Sequence, residues 1–276
     1  MSAKNITYDL IQKAFEGKEP SPPKFFVTYG PPGSGKSVIL AKLLEQFKID
    51  KSEIVEILVD NFVKEAPGYL DEVKAIVDQQ LDEKEQQRKL TDVYFKYRKN
   101  YGDAVSDGVL YKSFAQKFNV VWETTGNSIE YAIKTIMEAR KNGYIIFLIY
   151  PFVEVENLKQ RTKKRARNSE DPRLPDEDFI ASSFIRAQRN FKTISKYVDK
   201  TFVYNNNGED LNQIKALVTI ENDYENFCSD KRKYCAQGIE KKVTCDKRQL
   251  SILTQKSERE FGTYLEKVCK FDLSNQ

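Results

Sequence analysis

The segment Gly30-Pro31-Pro32-Gly33-Ser34-Gly35-Lys36-Ser37 constrains this chain more than any other. Its spacing, Gly-x-x-x-x-Gly-Lys-Ser, puts glycines where the backbone must turn tightly and a lysine and a hydroxyl where a helix begins. It follows Lys24-Phe-Phe-Val-Thr-Tyr29, a short apolar and β-branched run set off by Pro20, Pro22 and Pro23. It precedes Val38-Ile-Leu-Ala-Lys-Leu-Leu-Glu-Gln-Phe47, whose apolar residues recur at helical spacing. In a strand, glycine loop and helix in this order, backbone N–H groups wrap a phosphate and the helix N-terminus adds a favourable dipole. Residues 30–38 are therefore expected to bind ATP, with Lys36 reaching the β- and γ-phosphates and Ser37 ligating Mg²⁺. A glycine turn that only joins strand to helix gives no reason for Lys36 and Ser37 to stand together.

Further strand signals are Ile54–Val59, ending at Asp60 and Asn61; Asn119–Trp122, ending at Glu123-Thr124-Thr125-Gly126; Tyr144–Tyr150; and Lys200–Tyr204, stopped by Asn205–Gly208. Helical patterns lie between them, including one long polar helix through Glu72–Lys89 and another over Ser128–Lys141. Short apolar strands alternating with amphipathic helices predict an α/β fold, a doubly wound parallel sheet of P-loop kinase type. Ligands of such sheets gather beyond the carboxyl ends of the strands, which directs attention to residues 30–37, Asp60 and Glu123–Gly126. After Gly208 the strand signal fades. The expected division is a kinase domain over 1–208 and a helical, cysteine-containing extension over 209–276.

Composition narrows the chemistry. The chain of 276 residues has no histidine, which excludes Ser-His-Asp, Cys-His and His-metal catalysis. Its net charge of +4 does not by itself call for nucleic acid or an anionic membrane. The longest apolar run, Tyr144–Val153, is far short of the roughly 20 residues of a membrane-spanning helix, and the N-terminus has no apolar leader, so a reducing cytoplasm is expected. All four cysteines (Cys228, Cys235, Cys245, Cys269) lie in the last quarter without a Cys-x-x-Cys pair. They read as structural or free thiols, with a disulfide or an all-cysteine metal site as alternatives.

A GTPase would carry an Asn-Lys-x-Asp motif and a typical ATPase an apolar run ending in Asp-Glu; neither is present. A kinase of this fold instead needs a carboxylate to accept a hydroxyl proton, and Asp60 stands where one is expected. The alternative for Asp60 is an Asx cap on the following turn. Residues 158–175 are dense in cations and end in a proline-bounded loop, like a lid that senses phosphate. A solvated basic helix face and a nucleic-acid patch are the alternatives, and the absence of aromatics from this stretch weakens the second. Arg161 and Arg165, four apart, share a helical face. Arg186 and Arg189 read as surface residues.

Together, residues 30–37, Val59-Asp60-Asn61, Glu123-Thr124-Thr125-Gly126 and Pro172-Arg173-Leu-Pro175 resemble the zeta-toxin family of P-loop kinases, over residues 20–205. The resemblance implies transfer of the ATP γ-phosphate to the 3′-hydroxyl of the aminosugar in UDP-N-acetylglucosamine. It also implies substrate contacts at Asp107, Glu123, Thr124, Thr125 and Gly126, with Tyr101 as a further candidate. Catalytic arginines would be Arg161 and Arg173, with Arg165 competing for the first place. The family's base is commonly the second acid of an Asp-Asn-Asp run; here Phe62 fills that slot and Asp60 alone remains. A polynucleotide 5′-hydroxyl kinase and a nucleotide-gated, non-catalytic module whose C-terminal region engages a protein partner stay open beside the small-molecule kinase.

Overall fold

In a computed structural model that describes residues 3–20, 23–208, 215–223 and 239–271, the apolar runs form strands and the 3.6-periodic stretches form helices. In chain order these are α1 (Ala3–Lys13), β1 (Lys24–Tyr29), α2 (Lys36–Gln46), β2 (Ile54–Ile57), α3 (Val59–Glu65), α4 (Tyr69–Val77), α5 (Glu83–Tyr97), α6 (Asp103–Gln116) and β3 (Asn119–Thr124). They continue as α7 (Ile129–Lys141), β4 (Ile145–Phe152), α8 (Val155–Arg167), α9 (Glu177–Ile194), β5 (Lys200–Asn205), β6 (Ala216–Asp223), β7 (Ile239–Cys245), α10 (Lys247–Lys256) and α11 (Arg259–Phe271). The result is a mixed α/β fold with mostly parallel strands. The chain separates into a first unit of residues 1–22, 51–123 and 160–175 and a second of 23–50, 124–159 and 176–276.

In the first unit β2 and β3 run parallel, with Val55 opposite Val120 and Ile57 opposite Trp122. Its helical core gathers Val63, Ala66, Tyr69, Val73, Ile76, Leu90, Tyr94 and Tyr97, all buried. The single polar helix expected through Glu72–Lys89 is two helices. α4 stops at Val77, Gln80 takes a positive φ of 49°, and Asp82 starts α5 by accepting a hydrogen bond from the Glu85 N–H (3.0 Å). Local Asx capping thus overrides the helical propensity of a Gln- and Glu-rich stretch. A π-helical turn over Arg98–Gly102 links α5 to α6.

In the second unit β1, β4 and β5 are parallel, with Phe26 opposite Phe147 and Ile149 opposite Phe202. Phe25, Phe26, Val27 and Tyr29 of β1 are fully buried, as continuous apolar runs in parallel sheets are. Arg140 of α7 pairs with Asp199 through both guanidinium ends (3.0 and 3.2 Å), and Asp199 also accepts the Ile146 N–H at 2.7 Å. That pair ties α7 to the ends of β4 and β5.

The C-terminal part is helical, as expected, in α10 and α11, but it also contributes two antiparallel strands that the sequence reading did not assign. β6 pairs with β5, and β7 with β6. Their residues are mostly polar, because a strand needs only one apolar face and here Leu217, Val218, Ile220 and Val243 supply it. α11 lies on α9 through Phe261 against Phe191 (ring centroids 5.1 Å) and Tyr264 against Phe191 (6.2 Å). The free-thiol reading fails for Cys245 and Cys269, which form a disulfide between β7 and α11, 24 residues apart in sequence. Packing of α11, not spacing, brings the two Cα atoms to 5.9 Å. Cys228 and Cys235 lie outside the described residues.

Candidate functional site

The glycine loop of the second unit is built from backbone. Gly30 (φ 138°), Gly33 (φ 80°) and Gly35 (φ 80°) turn the chain from β1 into α2 through conformations that side chains resist. α2 begins at Lys36 with no side chain capping its first turn, so its leading N–H groups face the loop. The Lys36 ammonium donates to the carbonyls of Gly30 (2.9 Å) and Pro31 (3.1 Å) and is buried over the loop. From the end of β5, the Asn206 amide donates to the Ser34 carbonyl at 2.8 Å, while the buried Ser34 hydroxyl has no hydrogen-bond partner. Ser37 is exposed in the first turn of α2. A cradle of N–H groups with one buried cation and an exposed hydroxyl fits a nucleotide's phosphates. Among the described residues no cluster of acids or cysteines could hold a metal alone; a magnesium ion shared with phosphates needs none.

The loop after β3 is fastened beside it. The Gly30 N–H donates to the Thr124 carbonyl (3.1 Å), and the Gly126 N–H to the Thr124 hydroxyl (3.3 Å). α9 holds the loop from its other end, Asn190 donating to the Gly126 carbonyl (2.8 Å) and Asn127 to the Ser183 hydroxyl (3.0 Å). Gly126 has a φ of 77°, and a Cβ there would lie 2.4 Å from the Tyr29 ring. Tyr29 is fixed in turn by its hydroxyl on the Ala187 carbonyl (2.7 Å). Thr124 and Thr125 are half-buried.

The first unit brings Asp60 and Arg173 together across 113 residues of chain. Asp60 lies in the first turn of α3, not in a loop after β2, because β2 ends at Ile57 and the helix starts at Val59. The Tyr94 hydroxyl donates to Asp60 Oδ1 (2.6 Å), and the Arg173 guanidinium stacks on the Tyr94 ring 3.5 Å from its centroid. Arg173 Nη2 is 3.8 Å from Asp60 Oδ1, and its Nε is 3.9 Å from Asp171 Oδ2. Asp171 is buried and accepts from the Tyr69 hydroxyl (2.8 Å) and the Arg173 N–H (3.2 Å). Gln87 brackets the arginine, donating to the Pro172 carbonyl (3.1 Å) and accepting from the Leu174 N–H (2.7 Å). Burial, then the neighbouring carboxylate, pushes the phenols of Tyr94 and Tyr69 well above their ordinary range, so both remain donors at neutral pH.

The other expected residues are less concentrated. Arg161 is half-buried on α8, whereas Arg165, one turn on, is exposed and outside these contacts. Asp107 is exposed on α6; Tyr101 is half-buried against Tyr97 (6.0 Å between centroids); Glu123 is half-buried near the end of β3. Phe62 is buried in the core, so the family's second acidic slot is filled by packing. Arg186 and Arg189 are exposed, the latter 3.8 Å from Glu258, as surface residues are. Sequence reasoning missed Tyr94, Asp171, Gln87, Asn206 and Asn190. The spacing Leu90, Tyr94, Tyr97 does mark a buried helix face, but nothing in it tells which carboxylate a phenol will meet.

The zeta-toxin family profile matches residues 9–213, three quarters of the chain. The chain belongs to the zeta-toxin family. Zeta-toxin family members are P-loop kinases. An uncharacterised protein of Acanthamoeba polyphaga mimivirus is 29% identical over 166 residues, and the chain spans about half the length of that relative. Among solved structures, the PezAT chromosomal toxin–antitoxin system of Streptococcus pneumoniae is similar at a TM-score of 0.52. It is 18% identical, with 74% of this chain and 78% of that one covered. The complex of AvrRxo1-ORF1 with AvrRxo1-ORF2 and ATP is similar at 0.53, with 14% identity over 96% of this chain and 85% of that one. These likenesses establish the P-loop kinase-type fold. Among the described residues no helix is long and apolar enough to cross a membrane.

Proposed function

We propose that this zeta-toxin relative uses Mg-ATP to phosphorylate a hydroxyl of a small acceptor, the 3′-hydroxyl of the aminosugar of UDP-N-acetylglucosamine being the first choice. The observation that carries this is the buried Lys36 ammonium held over a loop of positive-φ glycines at the start of α2. In that cradle residues 30–38 surround the phosphates, the N–H groups around Gly33, Gly35, Lys36 and Ser37 orient the phosphate oxygens (Pro31 and Pro32 have none), and Lys36 offsets the charge that builds on the β–γ bridge as it breaks. Ser37 supplies one oxygen to the Mg²⁺, which screens the same charge when bound. Asp60 accepts the proton of the attacking hydroxyl, and Arg173, with Arg161 or Arg165, neutralises the phosphoryl group in flight. The acceptor is oriented by Glu123, Thr124, Thr125 and Gly126, with Asp107 and Tyr101 as further contacts.

That ATP is the donor is supported by the solved AvrRxo1 complex, which contains it. That a second protein engages the chain is supported by the two-protein complexes among its structural neighbours. We assign catalysis to residues 1–208 and partner contact to 209–276. Transfer of label from γ-labelled ATP to UDP-N-acetylglucosamine, with Lys36→Ala as control, tests the reading. A shallow basic concavity on α8, lined by Gln160, Lys163, Lys164, Arg167 and Asn168, favours a polynucleotide 5′-hydroxyl kinase as the second reading. Label on a 5′-hydroxyl oligonucleotide, bound with a steep salt dependence, would select it. ATP bound without turnover on any acceptor would instead select the non-catalytic module, which Phe62 in the second acidic slot favours.

A further inference from the structure

Three buried tyrosines of the first unit each give a hydroxyl to a carboxylate: Tyr69 to Asp171 (2.8 Å), Tyr94 to Asp60 (2.6 Å) and Tyr97 to Glu72 (2.8 Å). A buried phenol needs such a partner, so the bonds alone are the ordinary chemistry of a tyrosine-rich core. Tyr94 differs in what else it touches. Its ring face seats the Arg173 guanidinium at 3.5 Å while its hydroxyl holds the Asp60 carboxylate. One side chain therefore touches two of the groups to which phosphoryl transfer is assigned above.

Arg173 is also held by its backbone bond to Asp171, by Gln87 on either side and by Tyr69 near its guanidinium, whereas Asp60 is little fixed without Tyr94. The Asp60 side chain is 48% exposed, so packing does little to hold it. The 3.8 Å between Arg173 Nη2 and Asp60 Oδ1 is too long for a hydrogen bond, and no fork of paired bonds joins them. Arg173 Nε is buried with no hydrogen-bond partner, 3.9 Å from Asp171. The guanidinium is thus oriented by stacking and by charge, with donors left over for an anion. Tyr94 itself is only 5% exposed and sits on the core face of α5 between Leu90 and Tyr97, so its own position is set by the fold.

We propose that Tyr94 is a positioning residue, its hydroxyl aiming the Asp60 carboxylate and its ring seating the Arg173 guanidinium. The proton acceptor and the neutralising cation are then held in one geometry by a rigid side chain of two torsions. A phenylalanine in its place would seat the cation but not aim the carboxylate; an aliphatic residue would do neither. The inference rests on the roles given to Asp60 and Arg173 under the proposed function.

The test compares steady-state turnover of γ-labelled ATP, on the acceptor that takes the label or on water, in Tyr94→Phe, Tyr94→Leu, Tyr97→Phe and Asp60→Asn. Thermal melts are read beside each. Tyr94→Phe removes one oxygen and should lower kcat about tenfold with KM for ATP within about twofold, the loss of one hydrogen bond to a charged group. Tyr94→Leu should lower kcat about a hundredfold, so that the ring alone restores about a tenfold share. Tyr97→Phe loses a bond of the same kind on Glu72 and should lower the melting temperature while leaving kcat within about twofold. Equal loss of kcat in Tyr94→Phe and Tyr97→Phe would overturn the proposal, because both would then act through stability. Parent turnover in both Tyr94 variants, with Asp60→Asn inactive, would overturn Tyr94 and leave the base standing. Parent turnover in Asp60→Asn would remove the base itself, and the positioning role with it.

Discussion

The glycine loop of the second unit and the Asp60–Tyr94–Arg173 group of the first, the two places to which charge handling is assigned in the proposal, are made in opposite ways. The loop is eight consecutive residues whose functional atoms are mostly backbone N–H groups, shaped by glycines and one helix start. The other group is three side chains from α3, α5 and the segment before α9, meeting only because α4 and α5 pack on α3. A contiguous backbone site tolerates most changes around it but not the loss of its one cation. A dispersed side-chain site should degrade by degrees, each member supporting the next.

The sharpest way to test that contrast is Lys36→Ala, expected to lower turnover by at least about a thousandfold in the label-transfer assay while the fold, followed by circular dichroism, is kept. Arg173→Ala should cost about a hundred- to a thousandfold in kcat with far less effect on ATP affinity; an equal loss in both would make the arginine a ground-state contact. Gly126→Ala attacks the loop's support rather than its charge. A Cβ 2.4 Å from the Tyr29 ring at a φ of 77° should destabilise the protein by about 2–3 kcal/mol in urea unfolding, and a neutral result would mean that Tyr29 moves freely.

Reduction of Cys245–Cys269 touches neither site. It should lower stability by about 3 kcal/mol, from the freed loop of 24 residues, and leave turnover intact; lost turnover would tie α11 to the chemistry. The smallest effect concerns pH. Burial first, and then the hydrogen bond to Glu72, pushes the Tyr97 phenol up to about 12. The folded state therefore holds this proton more tightly than the unfolded chain, whose phenol titrates near 10. Its contribution is complete below pH 10 and is lost as pH rises from there through about 12. Tyr97→Phe should flatten part of the alkaline limb of a stability–pH curve, and an unchanged limb would assign it to other tyrosines.

Legibility followed the same division. The parallel strands β1, β3, β4 and β5 were readable because buried strands are continuous apolar runs bounded by turn residues. α1 and the strands β6 and β7 were not assigned, since each has only one apolar face and a polar composition that suits several structures. Asp60 and Arg173 were legible as residue types in the right order, but their partners were not. Tyr94 reads as core at helical spacing whether or not a carboxylate awaits its hydroxyl. The buried Asp171 reads as one more charge in a polar loop.

The sequence by itself determined the glycine loop between strand and helix, the alternation of strands and helices, and the absence of any histidine chemistry. Each is a property of neighbouring residues or of composition, and local sterics and spacing are enough to specify it. Only the tertiary structure decided that Phe62 is core and Asp60 the remaining acid in reach of Tyr94, that Arg173 stacks rather than pairs, and that Cys245 meets Cys269. Those outcomes depend on which faces pack together over separations of tens of residues, and pairwise chemistry of that range leaves no periodic mark in the chain.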